Sequence, residues 1–137
     1  MAVTIDGTTG ITTVGLTASG AVSAAGVSTT TLDATSQQKQ GIVAMAALDV
    51  DCSAGNYFTK TINGASTFTF SNAPSSRAYS FTLELTVTSG SATWPASVAW
   101  PSGTAPTLST SKTSLLMFVT DDAGTRWRGA SLVDYTT

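Results

Sequence analysis

Histidine is missing from all 137 residues of this chain. Its absence removes Ser-His-Asp and Cys-His catalysis, histidine-based zinc sites and the usual general base at neutral pH. Cys52 is the single cysteine, which excludes an intrachain disulfide framework and reads as a buried thiol. Charge is scarce as well, with Asp, Glu, Lys and Arg at 10% where about a quarter is usual. Six cations spread along the chain and a net charge of -2 leave no electrostatic footprint for nucleic acid or an anionic membrane. No stretch approaches the roughly 18 apolar residues of a membrane span. The opening MAVTIDGTTG has neither the basic start nor the apolar block of an export signal, so synthesis in a cytosol without recognisable export is expected.

Aromatic residues are absent from residues 1 to 36, where Asp6 and Asp33 are the only charges. What recurs there is one small apolar anchor every five or six positions in a Ser/Thr/Ala background: Ile5, Ile11, Leu16, Val22, Val27 and Leu32, punctuated by Gly10, Gly15, Gly20 and Gly26. That period is too short for a helical repeat and suits one short strand plus a turn, with glycine supplying turn geometries closed to other residues. Fixing each backbone residue costs roughly 1 to 2 kcal/mol, whereas burying one valine or leucine returns only about 1.5 to 3 kcal/mol. One anchor per repeat therefore makes no core within one chain, and several copies must share an axis. Residues 1 to 36 are read as the β-repeat stalk of an intertwined oligomeric fibre, with Ile11, Leu16, Val22, Val27 and Leu32 as its axis contacts.

A polar linker, residues 37 to 43, separates the stalk from a head at residues 44 to 137. Residues 42 to 48, IVAMAAL, fit a helical turn or a buried strand equally. The clearest strand covers residues 77 to 88, where Tyr79, Phe81, Leu83, Leu85 and Val87 alternate with polar residues, giving one buried and one wet face. Asn63-Gly64 predicts a hairpin joining residues 56 to 62 with Thr67-Phe68-Thr69-Phe70. Leu115-Leu116-Met117-Phe118-Val119 reads as a strand buried on both faces. Asp121-Asp122-Ala123-Gly124 reads as the turn into a last strand at residues 125 to 133. Seven or so short strands with intervening turns predict an all-β class, an antiparallel β-sandwich of jelly-roll type.

Candidates for chemistry are few. Glu84, the only glutamate, alternates outward, so a glycosidase pair would have to come from Asp49, Asp51, Asp121, Asp122 and Asp134. Asp49-Val50-Asp51 and Asp121-Asp122 also have the oxygen chemistry of a calcium site. Outward alternation and ordinary turn chemistry account for both pairs, so no catalytic, metal or cofactor residue is assigned. Trp94, Trp100 and Trp127 are the remaining candidates. The first two each precede a proline, which holds them extended. A flat platform for sugar rings is one reading, and core or intersubunit packing is the reading their size favours. Arg126 and Arg128 flank Trp127 and face away from it, which suits edge or intersubunit ion pairs better than a ligand site.

The segments Ala47-Leu48-Asp49-Val50-Asp51-Cys52, Gly55-Asn56-Tyr57-Phe58-Thr59-Lys60-Thr61-Ile62, Ser66-Thr67-Phe68-Thr69-Phe70, Trp94-Pro95, Phe118-Val119-Thr120-Asp121-Asp122 and Thr125-Arg126-Trp127-Arg128-Gly129 together resemble a known module. It is the C-terminal module of tail-fibre-like and other structural proteins of tailed bacteriophages, notably those infecting cyanobacteria. The resemblance spans residues 44 to 135. The stalk phrasing, Gly-Leu-Thr-Ala-Ser-Gly and Gly-Val-Ser-Thr-Thr-Thr-Leu, is similar to the low-complexity repeats preceding such modules. The resemblance implies a trimeric, non-enzymatic protein of the virion surface, assembled in the host cytoplasm. Its implied partners are other copies of itself, capsid or tail proteins and a host surface glycan. Fibres of this kind are usually longer and begin with an anchoring domain. The short chain therefore also admits a capsid decoration, cement or head-fibre protein, and the tryptophans admit a carbohydrate-binding module.

Overall fold

The computed structural model describes residues 39–136. The stalk and its expected axis contacts Ile11, Leu16, Val22, Val27 and Leu32 lie outside the described residues. Ten strands occupy the described part in the order β1 (Ile42–Ala44), β2 (Asp49–Asp51), β3 (Tyr57–Asn63), β4 (Ser66–Thr67), β5 (Thr69–Ser71), β6 (Tyr79–Ser89), β7 (Ala92–Thr93), β8 (Val98–Ala99), β9 (Lys112–Thr120) and β10 (Trp127–Tyr135), with a 3-10 turn at Pro101–Gly103. The all-β class holds for these residues. IVAMAAL resolves into β1, a bend and the approach to β2.

Strands β1, β3, β6, β9, β10 and β8 form one six-stranded sheet in that spatial order, and β2 with β5 and β4 with β7 form two small sheets. The long strand read at residues 77 to 88 is β6, and its Phe81, Leu83, Leu85 and Val87 are all buried. The closing hairpin also forms: β9 and β10 pair antiparallel across residues 121 to 126.

Three expectations are corrected. The large sheet is mixed rather than antiparallel, since β1 with β3, β3 with β6 and β8 with β10 are parallel pairs. No hairpin forms at Asn63-Gly64. A two-residue type I′ turn needs positive φ at both central residues, and neither Asn63 nor Gly64 has it. β3 pairs instead with β6, which places Phe58 beside Leu83 and Ile62 beside Val87 on the core face. The chain after Gly64 leaves the sheet for β4 and β5, which pair with β7 and β2. Third, the run Leu115–Val119 is buried on one face only. Leu116 and Phe118 are inaccessible, while Met117 and Val119 are 41% and 42% exposed.

The core lies on the inner face of the large sheet, where Phe58, Phe81, Leu83, Leu85, Leu116, Phe118 and Trp127 meet Val50 of β2 and Phe68 between β4 and β5. Phe70 of β5 is wedged among them, edge-on to Phe81, Phe118 and Trp127 at centroid distances of 5.1, 4.9 and 5.2 Å. Such edge-to-face pairs add about 0.5 to 1.5 kcal/mol each beyond burial. Every buried side-chain polar atom among the described residues has a hydrogen-bond partner.

Candidate functional site

All three tryptophans pack in or against one aromatic core, Trp127 within it and Trp94 and Trp100 against Phe118 at its margin. Trp127 begins β10 and is 1% exposed, with its ring edge-on to Phe70 and Phe81. Trp94 and Trp100 are half-buried. Trp94 stacks on Phe68 at 5.0 Å and 17°, touches Trp100 at 5.7 Å, and lies 5.5 Å from Phe118, while Trp100 lies 5.6 Å from Phe118. The proline effect is visible at Trp100, whose φ of -97 and ψ of 154 are extended. Gly129 of β10 sits under Trp100, and a Cβ there would come within 2.7 Å of the indole. Each indole thus packs against phenylalanines, and Trp94 and Trp100 also against each other, while both of these stay partly accessible.

The acidic candidates are each tied to neighbours. Asp49 accepts from Thr69 Oγ1 at 2.6 Å and Ser71 Oγ at 2.5 Å, fastening β2 to β5. Asp51 accepts from Ser53 Oγ at 2.6 Å, Ser53 N at 3.0 Å and Asn72 Nδ2 at 2.8 Å. The Ser53 and Asn72 side-chain bonds hold its carboxyl below the usual carboxylate range. Asp122 accepts from Arg126 N at 3.0 Å and from Thr120 Oγ1 at 3.0 Å, and the Arg126 backbone bond is the main cause of its lowered carboxyl. Arg126 and Arg128 both reach Asp121, at 3.2 and 3.4 Å. All three side chains are about half exposed, so these pairs contribute less than about 1 kcal/mol each and serve to fix the turn. Asp134 accepts from Ser109 N at 3.2 Å and Ser109 Oγ at 2.9 Å.

Cys52 is buried, and burial pushes its thiol up to about 11. Burial likewise raises Tyr79, whose hydroxyl donates to the Gly55 carbonyl. Both shifts favour the neutral form, so Cys52 carries little thiolate at ordinary pH.

The outer face of the large sheet is the surface that sequence reading missed. Strand registers align its side chains in rows across five strands. One row runs Ile42, Tyr57, Thr82, Met117, Ala130, and the next runs Ala44, Thr59, Glu84, Leu115, Leu132. A third runs Thr61, Thr86, Thr113, Tyr135, and Val119 lies between Ser80 and Arg128 at the other margin. Ile42, Leu132 and Tyr135 are 72%, 51% and 46% exposed. Glu84, in the middle row, accepts from the Tyr57 hydroxyl at 2.7 Å, a bond that also raises the tyrosine above its ordinary value. The β3–β6 half is thus threonine-rich with one tied carboxylate, and the β9–β10 half is aliphatic. The signal that marks this face in the sequence is the unbroken apolar run of Leu115–Val119, longer than one core can absorb. Comparison with family models, with curated proteins and with solved structures finds no match to this chain.

Proposed function

We propose that this chain is a non-enzymatic structural protein of a bacteriophage virion surface, a fibre-like homotrimer used in attachment. In this reading residues 1 to 36 hold three copies about a common axis. Residues 44 to 137 form a head in which the six-stranded sheet and the two small sheets pack as a jelly-roll-like sandwich.

One observation carries the reading. All five phenylalanines and all three tryptophans pack in or against a single core, Phe70, Trp94 and Trp100 only partly buried, and the face turned outward is aliphatic and threonine-rich. A surface of that chemistry suits protein packing. Sugar recognition calls for exposed ring planes edged by polar groups. The one-anchor repeats of residues 1 to 36 supply a separate reason for several copies, since a single chain gains too little from them to hold their backbone in place.

The test is the mass in solution by light scattering of the full-length protein beside a chain lacking residues 1 to 36. A trimer that falls to lower mass on truncation supports the stalk as the assembly element, and a monomeric full-length chain counts against it. Val22→Asp, which puts a carboxylate where the axis is expected, should dissociate the trimer. An emission spectrum of the tryptophans that moves on addition of polysaccharide would return weight to a carbohydrate-binding module.

A further inference from the structure

We propose that Asn63 is a site of spontaneous covalent modification, deamidation through a cyclic imide to aspartate and isoaspartate, with water as the only co-reactant. The Asn63-Gly64 pair forms no hairpin, and the way the chain leaves β3 there supplies what the reaction needs. The chemistry is independent of the virion reading.

The reaction joins two groups on neighbouring residues. The Gly64 backbone nitrogen attacks Cγ of the Asn63 side chain and closes a five-membered ring. The new N–Cγ bond replaces the Cγ–Nδ2 bond, and ammonia leaves with the proton that the Gly64 nitrogen gives up. Water then opens the ring. Addition at Cγ gives aspartate, whereas addition at the main-chain carbonyl carbon breaks its bond to the Gly64 nitrogen and leaves the chain running through the side chain, as isoaspartate. A Cβ on the residue after asparagine shields the attacking nitrogen, and a backbone hydrogen bond holds its proton. The reaction is therefore fastest where glycine follows and its N–H is unpaired.

The chain has three asparagines, and the fold treats them differently. Asn56 Nδ2 donates to the Ser80 carbonyl at 2.6 Å, Asn72 Nδ2 donates to Asp51 Oδ1 at 2.8 Å, and the residues that follow them are Tyr57 and Ala73. Asn63 is exposed at the last position of β3. Among the described residues its side-chain amide has no hydrogen-bond partner, while its main-chain carbonyl accepts from Ser89 Oγ at 2.6 Å. The register with β6 ends at Asn63, Gly64 begins a bend, and among the described residues the Gly64 N–H makes no backbone hydrogen bond.

The product forms where two connections pack closely. Gly64, after β3, faces Gly90, after β6, and a Cβ on Gly90 would fall 2.2 Å from the Gly64 carbonyl carbon. Just beyond, Ser66 N donates to Ser91 O at 2.8 Å as β4 pairs with β7. Isoaspartate adds one carbon to the main chain at this point, so the β4–β7 pairing is the first contact it displaces.

The experiment incubates the full-length protein at mildly alkaline pH and follows its tryptic peptides by mass spectrometry. Residues 61 to 77 carry Asn63 and Asn72 in one peptide, and residues 40 to 60 carry Asn56. The expected result is a pair of products one dalton heavier, with fragment ions placing the gain at Asn63, formed at least about tenfold faster than any gain at Asn56 or Asn72. Gly64→Ala should slow the gain at least about tenfold. A Cβ on Gly64 meets nothing within 4 Å, so this variant is expected to fold, which circular dichroism checks. Aged wild type should melt below fresh protein, and Asn63→Asp, which has the new charge without the extra main-chain carbon, should not. An Asn63 that gains mass no faster than Asn72 overturns the inference, and if the same chain in guanidinium chloride reacts at Asn63 first, the fold is what holds the pair closed. An equal rate in Gly64→Ala overturns the route through the Gly64 nitrogen, and an unchanged melting temperature of the aged protein overturns the displacement of β4 from β7.

Discussion

Phe118→Ala tests whether the aromatic cluster is the structural centre of the head. Phe118 is 0% exposed and its ring touches four others: Phe70 at 4.9 Å, Phe81 at 4.9 Å in a stacked arrangement, Trp94 at 5.5 Å and Trp100 at 5.6 Å. Removing a buried phenylalanine ring costs about 3 to 5 kcal/mol in lost transfer energy and residual cavity. The upper half of that range is expected here, because two tryptophans and two phenylalanines are too stiff to collapse into the space. A domain of this size is stable by about 5 to 15 kcal/mol, so the loss is a large fraction of the total. With a urea m-value of about 1.5 to 2 kcal/mol/M, inside the usual range of about 1 to 3, the midpoint should fall by roughly 2 to 3 M. The assay is urea unfolding of the full-length protein at one fixed concentration, followed by far-ultraviolet circular dichroism. Tryptophan emission is the wrong probe, since Trp94 and Trp100 lose a neighbour in the native state itself. Phe118→Leu keeps most of the apolar volume and should cost about half as much. A cooperative Phe118→Ala protein that has lost less than about 1 kcal/mol would refute the claim that these rings are organised around position 118.

Gly90→Ala should destabilise by at least about 2 kcal/mol in thermal unfolding, because Gly90 has φ of +82 and its Cβ would fall 2.2 Å from the Gly64 backbone carbon. Thr120→Val keeps the shape but removes an inaccessible hydroxyl that accepts from Gly124 N at 3.0 Å and donates to Asp122. A loss of about 1 to 3 kcal/mol is expected, with faster amide exchange at Gly124. Because the buried Cys52 thiol is raised from 9.0 to about 11, its contribution to stability is complete below pH 9 and disappears as pH climbs toward 11. Cys52→Ala should flatten that alkaline limb in a pH series of melting temperatures. Asp51 and Asp122 act in the opposite direction: with carboxyls held below 3.8, their contribution is present above that pH and lost as pH falls through and below it. Asp122→Asn should therefore blunt the acid limb.

Much of the head was legible in the residues. The alternation of Phe81, Leu83, Leu85 and Val87 reports a half-buried strand because side chains on a strand point to opposite faces, and that rule is local. Asp121-Asp122-Ala123-Gly124 was legible for the same reason: Ala123 and Gly124 do take the positive φ that turns require. The partner of each strand was not legible. Asn63-Gly64 is a local hairpin signal, but the choice of β6 over β5 as the partner of β3 depends on placing Phe58 and Ile62 against Leu83 and Val87, a long-range packing preference. Strands β4, β7 and β8 are two residues each, too short to carry any period. The size of Trp94, Trp100 and Trp127 favoured packing, yet nothing in the sequence showed that all three would join one aromatic cluster with Phe70, Phe81 and Phe118.

The run at residues 115 to 119 is the most informative disagreement between sequence and fold. Its reading as doubly buried rests on composition, and composition is a statement about every environment a strand meets. Leu116 and Phe118 meet the expectation completely, and Met117 and Val119 miss it by the same margin on the same face. Errors of strand assignment scatter along a segment, whereas this one follows the period of the pleat. It also continues across the strand boundary onto Ala130 and Leu132 of β10, which the register places beside Met117 and Leu115. A departure that respects both the period and the register is what an antiparallel pair produces when its sheet packs one face on the core and leaves the other accessible. Composition alone does not separate the two faces, because leucine, methionine and valine are also ordinary residues of accessible surface.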